Sequence, residues 1–253
     1  MCKKVYFISD THLGADYIAD ESQRERMVTD FLYSIKDDAS ELYLMGDILD
    51  YWFEYRTVVP RGYVRFFGAL AALADSGVKI TWFIGNHDIW LFDYLKKEIG
   101  LEVVDGVNIR KILGKKFLLS HGDGVGRLPS SFRFIRATFR NRVCQKLYAA
   151  IHPRWTVGFA HRWSARSRRS EKASPAWKGE QENLFQYAKK TLEEIPDINY
   201  FVFGHRHLIV NCQLSPTSNL IILGDWLTNF SYGCFDGTNF EILQYKHNFN
   251  KKN

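Results

Sequence analysis

The feature that most constrains this sequence is a repeated pattern: short apolar, β-rich runs that each break off at a turn carrying acids, amides or imidazoles. Lys79-Ile80-Thr81-Trp82-Phe83-Ile84 runs directly into Gly85-Asn86-His87-Asp88. An apolar run of that length, closed by turn residues, reads as a buried strand. The same happens four more times. Val5–Ile8 gives way to Ser9-Asp10-Thr11-His12, Glu41–Met45 to Gly46-Asp47-Ile48-Leu49-Asp50, Lys115–Leu119 to Ser120-His121-Gly122-Asp123, and Tyr200–Phe203 to Gly204-His205-Arg206-His207. Taken singly, each is ordinary, since a Gly-Asn pair usually makes a turn and an Asp usually caps a helix. Together they are not: five of the eight histidines fall directly after strands, beside Gly or Asp.

Strands whose ends carry such groups point to an α/β fold, where ligands gather outside the carboxyl ends of the strands. Helical periods separate the runs: Met27, Phe31, Leu32 and Ile35 share one face, and Val64, Phe67, Leu70 and Leu73 share another within a helix over 62–76. A further helix is expected over Trp90–Glu98, and strands over Val107–Leu113 and, near the end, over 209–212, 219–223, 232–235 and 240–243. The expected architecture is α/β, a layered α/β sandwich of two mixed β-sheets flanked by helices. Residues 1–253 are expected to form one domain, large enough at 46% hydrophobic content to bury one core, with a helical insertion lid over 127–178.

Four scattered cysteines, none in a Cys-x-x-Cys pair, argue against a disulfide framework or a thiolate zinc site. A strand begins almost at residue 3, which leaves no room for a signal peptide, and no run nears the ~18 apolar residues of a membrane span. A cytoplasmic location is expected.

Net charge is +6, yet from Arg127 to Lys172 twelve basic residues face one acid, Glu171, so this segment is +11 and the rest of the chain −5. A block of that kind speaks of a partner. Between Ser131 and Arg154, Phe132, Ile135, Phe139, Val143, Leu147 and Ile151 recur at helical spacing, with Arg133, Arg136, Arg140 and Arg142 beside them. Trp155, Phe159 and Trp163 continue the apolar series. A stripe of this kind commonly packs on a sheet; joined to the local charge, it suits acyl chains on one side and anionic headgroups on the other. Ser164, Arg166, Arg168 and Arg169 form a second cluster, suited to a diphosphate or a solvated basic face.

The strand ends collect Asp10, His12, Asp47, Asn86, His121, His205 and His207. Seven oxygen and nitrogen donors exceed what one ion needs and suit two ions sharing a carboxylate, ~3.5–4 Å apart. Ligation without thiolate fits manganese, iron, zinc or magnesium. In their order, Asp10-x-His12, Gly46-Asp47-x-x-Asp50, Gly85-Asn86-His87-Asp88, His121 and Gly204-His205-x-His207 resemble the calcineurin-like metallophosphoesterase superfamily. The resemblance implies two divalent ions, manganese first among the candidates. It places Asp10, His12, Asp47 and His207 on one ion and Asp47, Asn86, His121 and His205 on the other, with His87 stabilising the reaction and Asp50 positioning it.

Within the superfamily the chain is most similar to the UDP-2,3-diacylglucosamine hydrolases of lipid A biosynthesis. Gly46–Trp52, His121-Gly122-Asp123, the long insertion and Leu223-Gly224-Asp225-Trp226 carry that similarity. It implies an acylated UDP-sugar lipid as substrate and an anionic membrane surface as partner, at the inner face of the inner membrane, with no nucleic acid. One departure stands out: the best-known branch has Arg after the Asn of the motif, where this chain has His87, as general phosphoesterases do. A nuclease or other phosphodiesterase of the superfamily is the first alternative, because +11 also attracts a nucleic acid backbone. A non-catalytic membrane-surface module is the second.

Overall fold

The computed structural model describes residues 3–15, 20–160 and 176–246. Two mixed sheets lie at the centre. The first holds β1 (Lys4–Ile8), β2 (Ala39–Leu44), β3 (Lys79–Phe83) and β4 (Glu102–Val104) in parallel, and β10 (Ser231–Phe235) and β11 (Phe240–Gln244) extend it antiparallel beyond β1. The second has the order β5 (Asn108–Ile112), β6 (Lys115–Leu119), β7 (Tyr200–Phe203), β9 (Ser218–Leu223), β8 (Ile209–Ser215). Its middle three strands are parallel, and the outer two are antiparallel edges.

Strand periodicity decides what meets what. Successive side chains point to opposite faces, so Val5 and Phe7 of β1 enter the layer between the sheets while Tyr6 and Ile8 face the helices. Phe7 is fully buried and stacks on Tyr43 of β2 at 5.0 Å and on Phe117 of β6, across the layer, at 6.0 Å. On the outer face of the first sheet pack α1 (Glu21–Ser34), α2 (Val64–Asp75) and α3 (Tyr94–Ile99). Leu184, Phe185 and Ala188 of α7 (Asn183–Glu194) cover the other sheet's outer face with Phe201, Phe203, Leu220 and Ile222. The expected layered sandwich is the one found.

Three local expectations need correction. Val64 is 79% exposed, and Phe66 takes the core position assigned to it. The helix expected from Trp90 starts only at Tyr94, because Trp90 bridges to Phe53 and the buried Glu54 carboxylate accepts the N–H groups of Phe92, Asp93 and Tyr94 at 2.7, 2.7 and 3.1 Å. An acid over the first free N–H groups of a helix fixes its start there.

The third concerns the helix expected over 131–154, which is broken. It forms α4 (Ser130–Arg140), α5 (Arg142–Ala149) and, after a turn, α6 (residues 153–160). Asn141 is extended, with ψ 123°, and its side chain accepts the N–H groups of Val143 and Cys144 at 2.9 and 3.2 Å. An N-cap placed in mid-stripe outweighs the apolar period. Neither α4 nor α5 has a single fully buried residue. The stripe therefore does not pack into the core as one face: Phe132, Ile135 and Phe139 border a cavity, while Val143, Leu147 and Ile151 face outwards.

Candidate metal centre

Parallel strands of both sheets end on one rim, and the loops after β1, β2, β3, β6 and β7 bring all seven expected ligands together there. Three groups of donor atoms each fall within 4.8 Å: Asp10, His12 and His207; His12, Asp47 and His87; Asp47, His121 and His205. Asp47 is common to two of them. Its Oδ2 lies 3.3 Å from His121 Nε2 and 3.8 Å from His12 Nε2, between the two halves of the site, and its Oδ1 accepts the His87 N–H at 2.8 Å. Asn86 completes the second half, its Oδ1 3.3 Å from His121 Nε2.

Asp10 shows what the cluster suits. Its Oδ2 accepts from Ser9 Oγ at 2.6 Å and from the His205 N–H at 2.9 Å, whereas Oδ1 is buried with no hydrogen-bond partner. That oxygen faces His207 Nε2 at 3.4 Å and His12 Nε2 at 3.7 Å. A buried carboxylate oxygen left unmatched is costly, and a cation among two imidazoles and that oxygen satisfies it. The residues fit a divalent metal.

The imidazoles are oriented for that role. His121 Nδ1 donates to the Met45 carbonyl at 2.8 Å, His207 Nδ1 lies 3.1 Å from Asp225 Oδ2, and His12 Nδ1 3.3 Å from Asp50 Oδ1. An outer partner on Nδ1 turns Nε2 inward. Backbone strain has the same address. Among the described residues nine non-glycines have positive φ, and Asp10, His12, Asp47, His205 and His207 are five of them. Such backbone costs of order 1–3 kcal/mol per residue and persists only where the surroundings over-determine it.

Close packing explains the glycines of the pattern. A Cβ on Gly85 would strike the Asp47 carboxylate and amide, and one on Gly204 would strike Ser9 Oγ and the Asp10 carboxylate. The electrostatics are those of close-set carboxylates and imidazoles. Burial pushes the Asp47 carboxyl up, but His121 and His87 beside it outweigh burial and hold it well below the usual carboxylate range. Asp10 is likewise held down by His207 and His12 against burial. Burial opposes protonation of His121, yet Asp47 drives it well above the ordinary histidine value; His205 goes the other way, lowered by burial and by His121. Burial and Asp47 push Asp88 up to about 6.

His87 stands at the rim, its ring perpendicular to that of His12 at 4.8 Å. Asp50 touches it in two ways, through its carbonyl at 3.1 Å and Oδ1 at 3.4 Å from His87 Nδ1. The same carboxylate oxygen serves His12, so Asp50 braces both His12 and His87. From Asn86 and His87 a cavity of about 460 Å³ runs beneath the insertion, walled by Trp90, Ile135, Phe139 and Tyr148. Of the expected substrate contacts, Arg136 and Arg140 line this cavity and Arg133 does not. Both lining arginines are ion-paired, Arg136 Nε with Asp123 and Arg140 Nε with Asp105, each at 3.1 Å. Ser164, Arg166, Arg168 and Arg169, with Trp163, lie outside the described residues.

The sequence reading left several residues of this site without a role. Asp88 ties the β2 and β3 loops, accepting from Ile48 N, Gly85 N and Trp82 Nε1 at 3.0, 2.8 and 3.0 Å. Asp225 follows β9 after a glycine, so the strand-glycine-acid rule that found Asp47 applies to it too.

The sequence profile of calcineurin-like phosphoesterases matches residues 3–208. The chain belongs to that family. This phosphoesterase is 44% identical over 252 residues to a Porphyromonas gingivalis protein named UDP-2,3-diacylglucosamine hydrolase, covering 94% of this chain and 96% of the relative. A Haemophilus influenzae protein of the same name is 26% identical, covering 90% and 93%. Among solved structures, a dimetal phosphatase from Danio rerio aligns with a TM-score of 0.49 at 12% identity, covering 97% of this chain and 99% of that one. The phosphoesterase is a metal-dependent hydrolase with a site for two ions.

Proposed function

We propose that this phosphoesterase hydrolyses the diphosphate of UDP-2,3-diacylglucosamine, giving UMP and 2,3-diacylglucosamine 1-phosphate, with two manganese ions bound. One observation carries the reading beyond the relatives' names: the cavity that opens at Asn86 and His87 is walled by apolar side chains of the insertion. A diphosphate at the metal centre thus has a place beside it for acyl chains, and a purely polar diphosphate ester would leave those walls unused.

Asp10, His12, Asp47 and His207 would hold one ion, and Asp47, Asn86, His121 and His205 the other. Bound there, two divalent cations acidify water and neutralise charge on phosphoryl oxygens. The chain's own residues supply the rest. His87 gives Nδ1–H to the Asp50 carbonyl, which leaves Nε2 to hand a proton to the departing phosphate oxygen as the P–O bond breaks. The Asp50 carboxylate, its Oδ1 3.4 Å from the same Nδ1, helps to hold the ring in that orientation.

The insertion also fits a membrane surface. Phe134, Val143, Leu147 and Trp155 are 74, 64, 66 and 70% exposed, next to the exposed Arg133, Arg142, Lys146 and Arg154. Exposed apolar side chains rimmed by basic ones suit the boundary of an anionic bilayer. Among the described residues no helix is long and apolar enough to cross a membrane. The reading is of one catalytic domain with an insertion over 127–178, whose described part, 127–160, borders the cavity beside the metal centre and meets the inner face of the inner membrane from the cytoplasm.

Mass spectrometry of the manganese-loaded protein with UDP-2,3-diacylglucosamine in detergent tests the reading, beside Asp47→Ala. UMP and the acylated sugar phosphate are expected from the first and not the second. Intact lipid, with a generic phosphodiester cleaved, would overturn the substrate.

A further inference from the structure

His207 is clamped at both ends by one short loop. Asp225, 3% exposed after β9, places Oδ2 3.1 Å from His207 Nδ1. Its other oxygen is fully engaged, accepting the backbone N–H groups of Leu227, Thr228 and Asn229 at 3.1, 2.9 and 2.9 Å. Thr228 Oγ1 adds a bond at 3.2 Å. Four residues on, Asn229 Nδ2 donates to the His207 carbonyl at 3.0 Å. The loop reaches a second ligand as well, since the Trp226 N–H donates to the Asp10 carbonyl at 3.2 Å. His207 and Asp10 both have positive φ, 52° and 54°, backbone that needs outside restraint.

We infer that Asp225 is a positioning residue which fixes His207 in the tautomer with its proton on Nδ1, and that the loop 225–229 thereby pre-forms the half of the site made by Asp10, His12 and His207. The inference rests on the metal reading of those residues. Chemistry makes it asymmetric across the site. The first half is backed by two carboxylates, Asp225 behind His207 and Asp50 behind His12, whereas His121 in the other half is backed by the neutral Met45 carbonyl. Charge behind an imidazole raises its basicity towards a cation, so the two halves differ in affinity and the Asp10 half fills first.

The carboxylate's bonding dictates what each substitution does. In Asp225→Asn three backbone N–H groups still require an oxygen at the Oδ1 position, so the amide NH2 takes the Oδ2 position. That NH2 donates to His207 Nδ1, which moves the ring proton to Nε2 and blocks the metal-facing nitrogen. Asp225→Ala only removes the partner and leaves water to accept from Nδ1. The near-isosteric change is therefore the more damaging of the two for metal binding, an order opposite to what packing alone gives.

The test is a manganese titration of the metal-free wild type, Asp225→Asn and Asp225→Ala, followed by electron paramagnetic resonance. Nitrogen-15 spectroscopy of the imidazoles in the metal-free wild type, at a pH where His207 is neutral, accompanies it. Two unequal sites are expected in wild type. Asp225→Asn should weaken the tighter one by about 10–100-fold, Asp225→Ala by less, with the weaker site unchanged in both. His207 should carry Nδ1–H. Equal losses at both sites, a larger loss in Asp225→Ala than in Asp225→Asn, or Nε2–H on His207 would overturn the inference, and the wild-type spectrum decides even where a variant does not fold. Failure of the wild type to bind manganese would instead overturn the metal reading itself.

Discussion

Phe139→Ala separates the acyl-binding role of the insertion from the chemistry of the rim. The Phe139 ring lies 5.6 Å from Trp90 in the cavity wall, while its carbonyl accepts Trp90 Nε1 and Gln145 Nε2, both at 3.0 Å. Those bonds run through the backbone and survive truncation, so α4 keeps its anchor. What goes is the ring face. Fully burying a phenylalanine side chain contributes about 1.5–3 kcal/mol, and with one face given to substrate about half is at stake, roughly 1.1 kcal/mol or sixfold. Contacts to acyl carbon do not change as the P–O bond breaks, so the loss is uniform binding energy, which appears in KM and leaves kcat alone. The assay is steady-state hydrolysis in mixed micelles of UDP-2,3-diacylglucosamine and, separately, of a water-soluble phosphodiester. A KM raised about sixfold on the lipid, with the soluble ester untouched, is expected. Shortening the acyl chain should mimic it, at about 0.8 kcal/mol or fourfold per methylene. An equal loss on both substrates, or none on the lipid, would refute the assignment of the cavity.

Further outcomes follow from the rim and the core. His87→Ala should lower kcat by about 10²–10⁴-fold while two equivalents of manganese still bind, and loss of metal measured by mass spectrometry would remove His87 from its role. Gly85→Ala should abolish metal binding, because its methyl group meets the Asp47 carboxylate; a full complement of metal would contradict that packing. In the metal-free protein His121 titrates well above its unfolded value of 6.5. Its pairing with Asp47 therefore stabilises the metal-free fold fully below pH 6.5 and less as pH rises through the raised value. Metal must displace that proton, so calorimetric affinity at the Asn86 half should increase with pH from 6.5 upward, and a flat profile would contradict the shift. Phe7→Ala, in the layer between the sheets, should cost about 3–5 kcal/mol in urea unfolding; a cost under about 1 kcal/mol would mean that the layer is not close-packed.

The rim was readable in the sequence because strand ends are marked twice, by the stop of an apolar run and by the residue types that follow. Asp10, His12, Asp47, Asn86, His121, His205 and His207 all obey that rule, and parallel strands carry them to one edge. The rule also covers Asp225, which went unassigned because one carboxylate after β9 has no neighbouring imidazole in sequence; its partner is 18 residues upstream. The insertion was legible in composition but not in shape. Its apolar period suggested one long helix, and the period says nothing of a capping Asn141 that costs less as a break than as a helix interior residue. The surroundings of the arginines were hidden for a related reason. Charge in the segment is plain from sequence, but Arg136 and Arg140 are ion-paired with Asp123 and Asp105, which lie 13 and 35 residues upstream of them.

The most direct test compares kcat/KM of the manganese-loaded protein for UDP-2,3-diacylglucosamine and for UDP-N-acetylglucosamine, which offers the same diphosphate without the long chains. Preference for the acylated substrate by about a thousandfold, the equivalent of five buried methylenes, is the result expected if diphosphate chemistry at the rim is coupled to the cavity under the insertion. Equal values for the two would contradict that coupling, and with it the proposed substrate.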